Sequence, residues 1–322
     1  MSIDCTVYAR GRGSASASFA DAYRATQEPG NLAWISLVEP AEEDFGVIAP
    51  SFGLEPQFLE EAVRFPHRSD IEKHEDRLLA VLPILQTSAE EADIKDKPGS
   101  RSMNKDWVLA LAVGEPNMIF TFTDGDPAVL DQLRRRMEVK LDLTAEDARA
   151  VLFEIVSEVI GDYEDAVEAI DRRIWDAEVT VMEGRSGDVL RQIHNFTSQA
   201  VSIQQAFKPL ASALEQLSDS DAPLTHRRLT RIRHRALRVT ERLDSARELL
   251  SSLLEVNLTL VGQKISAWGA ILIVPSLIAG VFGMNFTDAW WTTADHGFEV
   301  MIGFMLLVSG ALYLWFRRSG WL

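Results

Sequence analysis

Two stretches near the C-terminal end carry no charged residue. Residues 265–282 read ISAWGAILIVPSLIAGVF, 18 residues, and residues 300–316 read VMIGFMLLVSGALYLWF, 17 residues. Crossing the hydrocarbon of a bilayer takes about 20 mostly apolar residues, with about 17 as the practical minimum. Each stretch alone fits the core helix of a soluble protein. As a pair, with Trp290, Trp291, Trp315 and Trp321 at their boundaries, they are expected to be two membrane-spanning helices. Lys264 precedes the first and Arg317–Arg318 follow the second, whereas 285–299 contains Asp288, Asp295 and Glu299 and no Lys or Arg. The positive-inside bias then places both termini in the cytoplasm and the short acidic loop outside, in a multi-pass inner (cytoplasmic) membrane protein. Two helices cannot enclose a polar path, so any transport requires an oligomer.

The other residues belong to a water-soluble part. A net charge of −16 argues against nucleic acid as a partner, since phosphates are bound by Lys and Arg. The charge suits a surface that gathers cations, and equally one that is acidic for solubility alone. Cys5 is the single cysteine, which excludes an intrachain disulfide and a thiolate metal cluster. The first residues, MSIDCTVYARGRGSAS, lack the apolar core of a signal peptide, so this part is expected to stay in the cytoplasm. No cofactor and no catalytic constellation is expected. GRGS at 11–14 lacks the rest of a phosphate loop, and EKHED is not the zinc-binding His-Glu-x-x-His pattern.

Residues 1–140 read as an α/β domain. Short β-type runs (LAWISL, RLLAVLPIL, WVLALAV, NMIFTFT) alternate with helical stretches and Gly/Pro turns, and 88–106 reads as an exposed loop between two strands. Residues 141–220 read as an acidic helical hairpin; Thr144–Glu183 alone carries 12 Asp/Glu against 3 Arg. From Pro223 to Phe282 no strong breaker cluster interrupts the pattern, and sixty helical residues would extend about 90 Å. The segment 221–284 is thus a stalk helix continuing into a first span at 265–284. An external loop at 285–299, a second span at 300–316 and a basic tail at 317–322 follow.

Two stripes run along this helix. Leu229, Ile232, Ala236, Val239, Leu243, Ala246, Leu250 and Leu253 alternate steps of three and four, a heptad seam that buries the helix against neighbours. The eight arginines between 227 and 247 fall largely off the seam and suit a face that salt-bridges the acidic hairpin. Glu241, Asp244, Glu248, Ser251 and Glu255 form a second line, and its phase continues through Leu258, Gly262, Ile265, Gly269, Leu272, Ser276, Ala279 and Gly283. Two readings fit. Acids occupy the wet face of a coiled coil and small residues let membrane helices pack closely. Alternatively, the line faces a cation path, with carboxylates collecting ions below and small residues leaving room above.

The end of the first span, PSLIAGVFGMNF, with a short acidic loop, a second span and RRSGWL after it, resembles the CorA-type metal-ion transporters of the Gly-Met-Asn class. RFPHRSDIEKHEDRLLAVLPIL (64–85) is similar to a strand-entry segment of that family's soluble domain, and LLEVNLTLV (253–261) to its stalk helix. The resemblance covers the whole chain. It implies a funnel-shaped homopentamer in membrane lipid, with the long helices as the inner ring. Gly283, Met284 and Asn285 would form the outer mouth, where Asn285 holds a divalent cation through its hydration waters. Mg²⁺ sheds those waters reluctantly, so a neutral ring of amide and carbonyl oxygens suits it. Gly262, Ile265, Gly269, Leu272, Ser276, Ala279 and Gly280 would line the pore. Asp288, Asp295 and Glu299 would concentrate cations outside. The resemblance also implies closure by regulatory Mg²⁺ at cytoplasmic carboxylates, for which the stripe offers Glu241, Asp244, Glu248 and Glu255.

The sequence departs from the family pattern in three places. FTDAWWTTADHGF stands where Met-Pro-Glu-Leu is common, Phe282 stands where Tyr is usual, and the Asn and Met positions before the first span are not recognisable. Three functions therefore stay open: a Mg²⁺ and Co²⁺ channel-like transporter; a Zn²⁺ transporter of the same fold, proton-driven and using His296; and a membrane-anchored coiled-coil scaffold or sensor. Uptake of Mg²⁺, Co²⁺, Ni²⁺ and Zn²⁺ separates them.

Overall fold

The computed structural model describes residues 2–9, 12–14, 18–38, 70–74, 77–85, 105–115, 117–123, 125–143, 146–182, 189–217, 223–284 and 296–321. The chain divides into two compact units, one of 1–173 with 195–247 and one of 174–194 with 248–322.

The first unit contains a seven-stranded sheet: β1 (Ser2–Ala9), β2 (Arg12–Ser14), β3 (Leu32–Val38), β4 (Asp70–His74), β5 (Arg77–Leu85), β6 (Lys105–Val113) and β7 (Met118–Thr123). Helix α1 (Phe19–Ala25) lies between β2 and β3, and α2 (Pro127–Lys140) follows β7. The strand order is β2-β1-β3-β7-β6-β5-β4, and only β3 and β7 run parallel. The four β-type runs expected from the sequence are β3, β5, β6 and β7. They sit in mid-sheet, and the continuous burial of β5 and β7 explains their near-unbroken apolar character. Strands β1 and β4 were not foreseen. SIDCTVYA mixes polar and apolar residues, and DIEKH buries only Ile71 among its described side chains. The expected loop over 88–106 lies almost wholly outside the described residues.

One sheet face forms a core with α1, containing Cys5, Val7, Ile35, Leu37, Leu111, Phe120 and Phe122. The Asp4, Thr6 and Tyr8 side of β1 meets α2. Arg134 bonds Asp4 and donates to Thr6 Oγ1 (3.1 Å), and Tyr8 Oη donates to Glu138 Oε1 at 2.6 Å. Burial and that carboxylate together push the Tyr8 phenol far above its usual range. In mid-sheet, Trp34 Nε1 donates to Thr121 Oγ1 (3.0 Å), which shares a further bond with Ser36 Oγ (3.1 Å). These bonds satisfy polar groups that water cannot reach.

Three helices follow: α3 (Ala148–Met182), α4 (Val189–Gln216) and α5 (Pro223–Phe282). Asn117, just before β7, fixes where α3 starts. Its Oδ1 accepts from the Ala148 amide (2.7 Å) while its Nδ2 donates to Asn31 O (3.1 Å), tying the helix N-terminus to the sheet. All eight predicted seam residues of α5, Leu229 to Leu253, are buried. Arginines at seven-residue steps pair with α3 and the segment just before it: Arg228 with Glu146, two residues ahead of the helix (2.7 Å), Arg235 with Glu164 (2.7 Å) and Arg242 with Asp171 (2.6 Å). The partners rise together along both helices, so α3 and α5 run parallel. Gln204 of α4 contacts Asp244 and Arg247, while Arg233 donates to the carbonyls of Leu214 and Leu217, so α4 runs antiparallel to α5.

In the second unit α5 continues without a break into the apolar stretch, and α6 (Gly297–Arg318) returns. Both helices are long and apolar enough to cross a membrane. Pro275 deprives the Ile271 carbonyl of its helical donor, yet the helix runs on.

Candidate functional site

The seam of α5 and its acid-to-glycine stripe are opposite faces of one cylinder. In the apolar half, Ala267 and Ile271 are buried against Phe316 of α6, with Ala270 and Leu312 packed alongside, and Trp268 meets Tyr313 (centroids 6.4 Å). At about 100° per residue, the line from Gly262 to Gly283 lies roughly 160° away from that contact. Gly262, Ile265, Leu272, Ser276, Ala279, Gly280 and Gly283 are exposed and Gly269 is half-buried. In the apolar half the stripe therefore faces away from α6.

The small residues leave measurable room. A Cβ added at Gly262, Gly269 or Gly280 meets no atom within 4 Å. Ser276 turns its hydroxyl back onto Leu272 O (3.0 Å), which leaves that face low in polarity. Leu258, Ile265 and Leu272 project at 57–67% exposure, at seven-residue steps along the same face.

Gly283 differs from the other glycines. Its amide donates to Ala279 O (2.8 Å), and an added Cβ would lie 3.0 Å from that same oxygen. It is not in a left-handed conformation, since positive φ angles occur only at Gly30 and Gly320 among the described glycines. What favours glycine here is the close approach of the last helical carbonyls, rather than a reversed backbone. Met284 follows, 55% exposed, with its amide on Val281 O (3.3 Å). Asn285, Asp288 and Asp295 lie outside the described residues. Glu299 is exposed in the first turn of α6, its Oε2 3.4 Å from His296 Nδ1.

In the soluble half and just beyond it, Glu241, Glu248 and Glu255 are exposed and make no side-chain hydrogen bond or ion pair among the described residues, whereas Asp244 accepts from Gln204 Nε2 at 2.5 Å. Gln204 Oε1 in turn accepts from Arg247 (2.7 Å), so one of the four candidate acids is tethered to α4. Among the described residues no group of three or more metal-ligating side chains is brought together within this single chain. The sequence reading missed Asn257, which continues the seam toward the membrane. It is buried with its amide oxygen unpartnered. Its spacing from Leu253 and Leu250 was the available signal.

A soluble α/β domain, one long helix and two C-terminal apolar helices describe a protein with two candidate membrane spans. The family model for CorA-like Mg²⁺ transporter proteins matches residues 29–318, and the chain belongs to that family. It is a divalent-cation transporter and not an enzyme. It is 22% identical over 283 residues to the cobalt/magnesium transport protein CorA of Thermotoga maritima, covering 84% of this chain and 78% of that protein. The complete structure of the CorA magnesium transporter from Methanocaldococcus jannaschii superposes with a TM-score of 0.60 at 17% identity, covering 99% of this chain and 98% of that one. The ZntB cytoplasmic domain from Vibrio parahaemolyticus superposes with a TM-score of 0.57 at 9% identity, covering 79% of this chain and 96% of that one.

Proposed function

We propose that this transporter conducts Mg²⁺, and Co²⁺ alongside it, through a path lined by the exposed stripe of α5 in a homopentamer. The observation that carries this reading is the stripe itself. A line of small residues, opposite the contact with α6, ends at Gly283 and Met284 and is left uncovered by its own chain. Cyclic repetition of the chain around that face encloses a path without further parts. Asn285, next to Met284, holds the hydrated ion at the outer mouth, and Asp288, Asp295 and Glu299 raise the local cation concentration. Glu241, Glu248 and Glu255 repel their copies around the axis unless cations bridge them, which supplies closure at high internal Mg²⁺; Asp244 contributes less because Gln204 already holds it. The protein sits in the cytoplasmic membrane with both termini inside, surrounded by lipid.

The test is initial flux in proteoliposomes at fixed membrane potential. Asn285→Ala is expected to abolish selective Mg²⁺ and Co²⁺ flux while the oligomer persists. Undiminished Mg²⁺ flux through that variant would refute the assignment. A second reading, Zn²⁺ transport, is favoured by the His296–Glu299 pair at the start of α6, since imidazole suits Zn²⁺ better than Mg²⁺. Zn²⁺ and Ni²⁺ flux exceeding Mg²⁺ flux, and falling in His296→Ala, would establish it. A pH gradient applied in the same assay separates proton-coupled from passive transport.

A further inference from the structure

The C-terminal end of α6 closes in a defined, hydrogen-bonded turn. After Arg318 the chain turns at Ser319–Gly320, with Gly320 at φ +74°. The Trp321 amide returns to Phe316 O (3.0 Å) and the Ser319 amide to Trp315 O (2.9 Å). This is the left-handed helix ending in which the residue beyond the glycine packs on the last turn. Here Trp321 stacks on Phe316 with centroids 5.5 Å apart, and Trp315 meets the same ring at 5.2 Å. Phe316 is itself buried against Ala267 and Ile271. The ending is anchored to α5 through three aromatic rings, and the two arginines just before it are held out.

Three observations then converge. First, Leu307, Leu314 and Arg318 fall roughly 140–180° around α6 from the Leu312–Phe316 contact. Arg318 thus continues the face on which Leu307 (69%) and Leu314 (63%) are exposed, and not the face turned toward α5. Secondly, the uncharged run from Val300 to Phe316 is about 26 Å long as a helix, close to a hydrocarbon thickness, so both guanidinium groups emerge where lipid phosphates begin. Thirdly, no Asp or Glu occurs from Val300 to Leu322, in a chain whose net charge is −16. Trp315, 62% exposed, stands one turn from Arg318 and offers an indole N–H at the same depth.

We propose that Arg318 and Trp315, one turn apart on α6, form a binding site for the headgroup phosphate of an anionic phospholipid on the surface that α6 turns to the bilayer, with Arg317, about 160° around the helix from Trp315, adding positive charge at the same depth. The guanidinium fork takes a phosphate through two parallel bonds, and the indole adds a third donor and an interfacial anchor. The inference rests on α6 spanning the membrane. It is independent of which ion is carried, and needs no flux to be tested.

The test is native mass spectrometry of the full-length protein titrated with phosphatidylglycerol or phosphatidylcholine of equal chain length. Wild type is expected to bind phosphatidylglycerol preferentially. Arg317→Gln with Arg318→Gln should weaken that binding roughly tenfold or more and leave phosphatidylcholine unchanged. Arg317→Lys with Arg318→Lys keeps the charges that set topology and loses the fork, so an intermediate loss is expected. Trp315→Leu should weaken binding by a smaller factor. Equal phosphatidylglycerol binding by the glutamine and wild-type proteins would overturn the proposal, as would displacement of the lipid by low millimolar inorganic phosphate. Because binding is read without transport, its failure is distinguishable from failure of the Mg²⁺ reading, which only flux reports.

Discussion

The two halves of α5 obey one pattern in two solvents. From Leu229 to Leu253 the seam is fully buried, and arginines at seven-residue steps clamp its flank to α3 and the segment just before it. From Ile265 to Phe282 the same helix buries only Ala267 and Ile271, and leaves Ile265, Trp268, Leu272, Ile273 and Leu277 more than half exposed. In water such exposure would cost about 25 cal/mol per Å² of apolar surface. In the proposed assembly lipid and neighbouring copies would remove that cost, so that the soluble half is completed by its own chain and the apolar half by other molecules. A substitution should therefore register as lost stability in the first half and as lost assembly or transport in the second.

The largest expected effect probes the second half. Gly269→Leu has room in the isolated chain, where an added Cβ meets nothing within 4 Å. If copies or ions occupy that space, flux should fall at least about tenfold, with assembly lost or the path blocked. Unaltered flux and oligomer size would break the contrast between the halves. Next comes Arg235→Ala. Its guanidinium bonds Glu164 and both oxygens of Ser157, and lies beside Gly161, where an added Cβ would be 3.2 Å from Nη2. Thermal unfolding of the full chain should show a loss of about 1.5–3 kcal/mol, against less than about 1 kcal/mol for Arg242→Ala at the more exposed rung.

Asn257 lies at the junction of the two halves. Removing its unpartnered amide oxygen by Asn257→Leu should raise stability by about 1 kcal/mol, read as a higher Tm; a drop would show that a partner absent from this single chain binds that oxygen. The smallest effect is one of pH. Burial holds the Asp162 carboxyl above its ordinary range, against the pull of Arg136. A raised folded-state pKa contributes stability at pH values below the unfolded pKa and loses it as pH rises through the folded one. Asp162→Asn should thus gain on wild type from about pH 4 upward, as unfolding at stepped pH would show.

Much of the fold was legible because its cause is local. Leu229, Ile232 and Ala236 repeat at the period of a helix face, and RLLAVLPIL is apolar because both its faces are covered. Strand β1 was illegible for the same kind of reason. Asp4, Thr6 and Tyr8 look like a polar interruption until Arg134 and Glu138, some 130 residues away, arrive to pair with them. The candidate site divides in the same manner. Periodicity alone put Gly262 to Gly283 on one face. It could not show that Gly283 approaches Ala279 O closely, or that Asp244 is held by Gln204 on another helix.

The seven-residue ladder of Arg228, Arg235 and Arg242 also restricts how α5 can move. Sliding the helix lengthwise would stretch its pairs with Glu146, Glu164 and Asp171 together. Small axial strokes are therefore opposed at every rung at once. Tilting about the ladder stretches the end rungs little and disturbs the middle one least. Within the domain that holds these pairs, the helix is suited to act as a lever and unsuited to act as a piston.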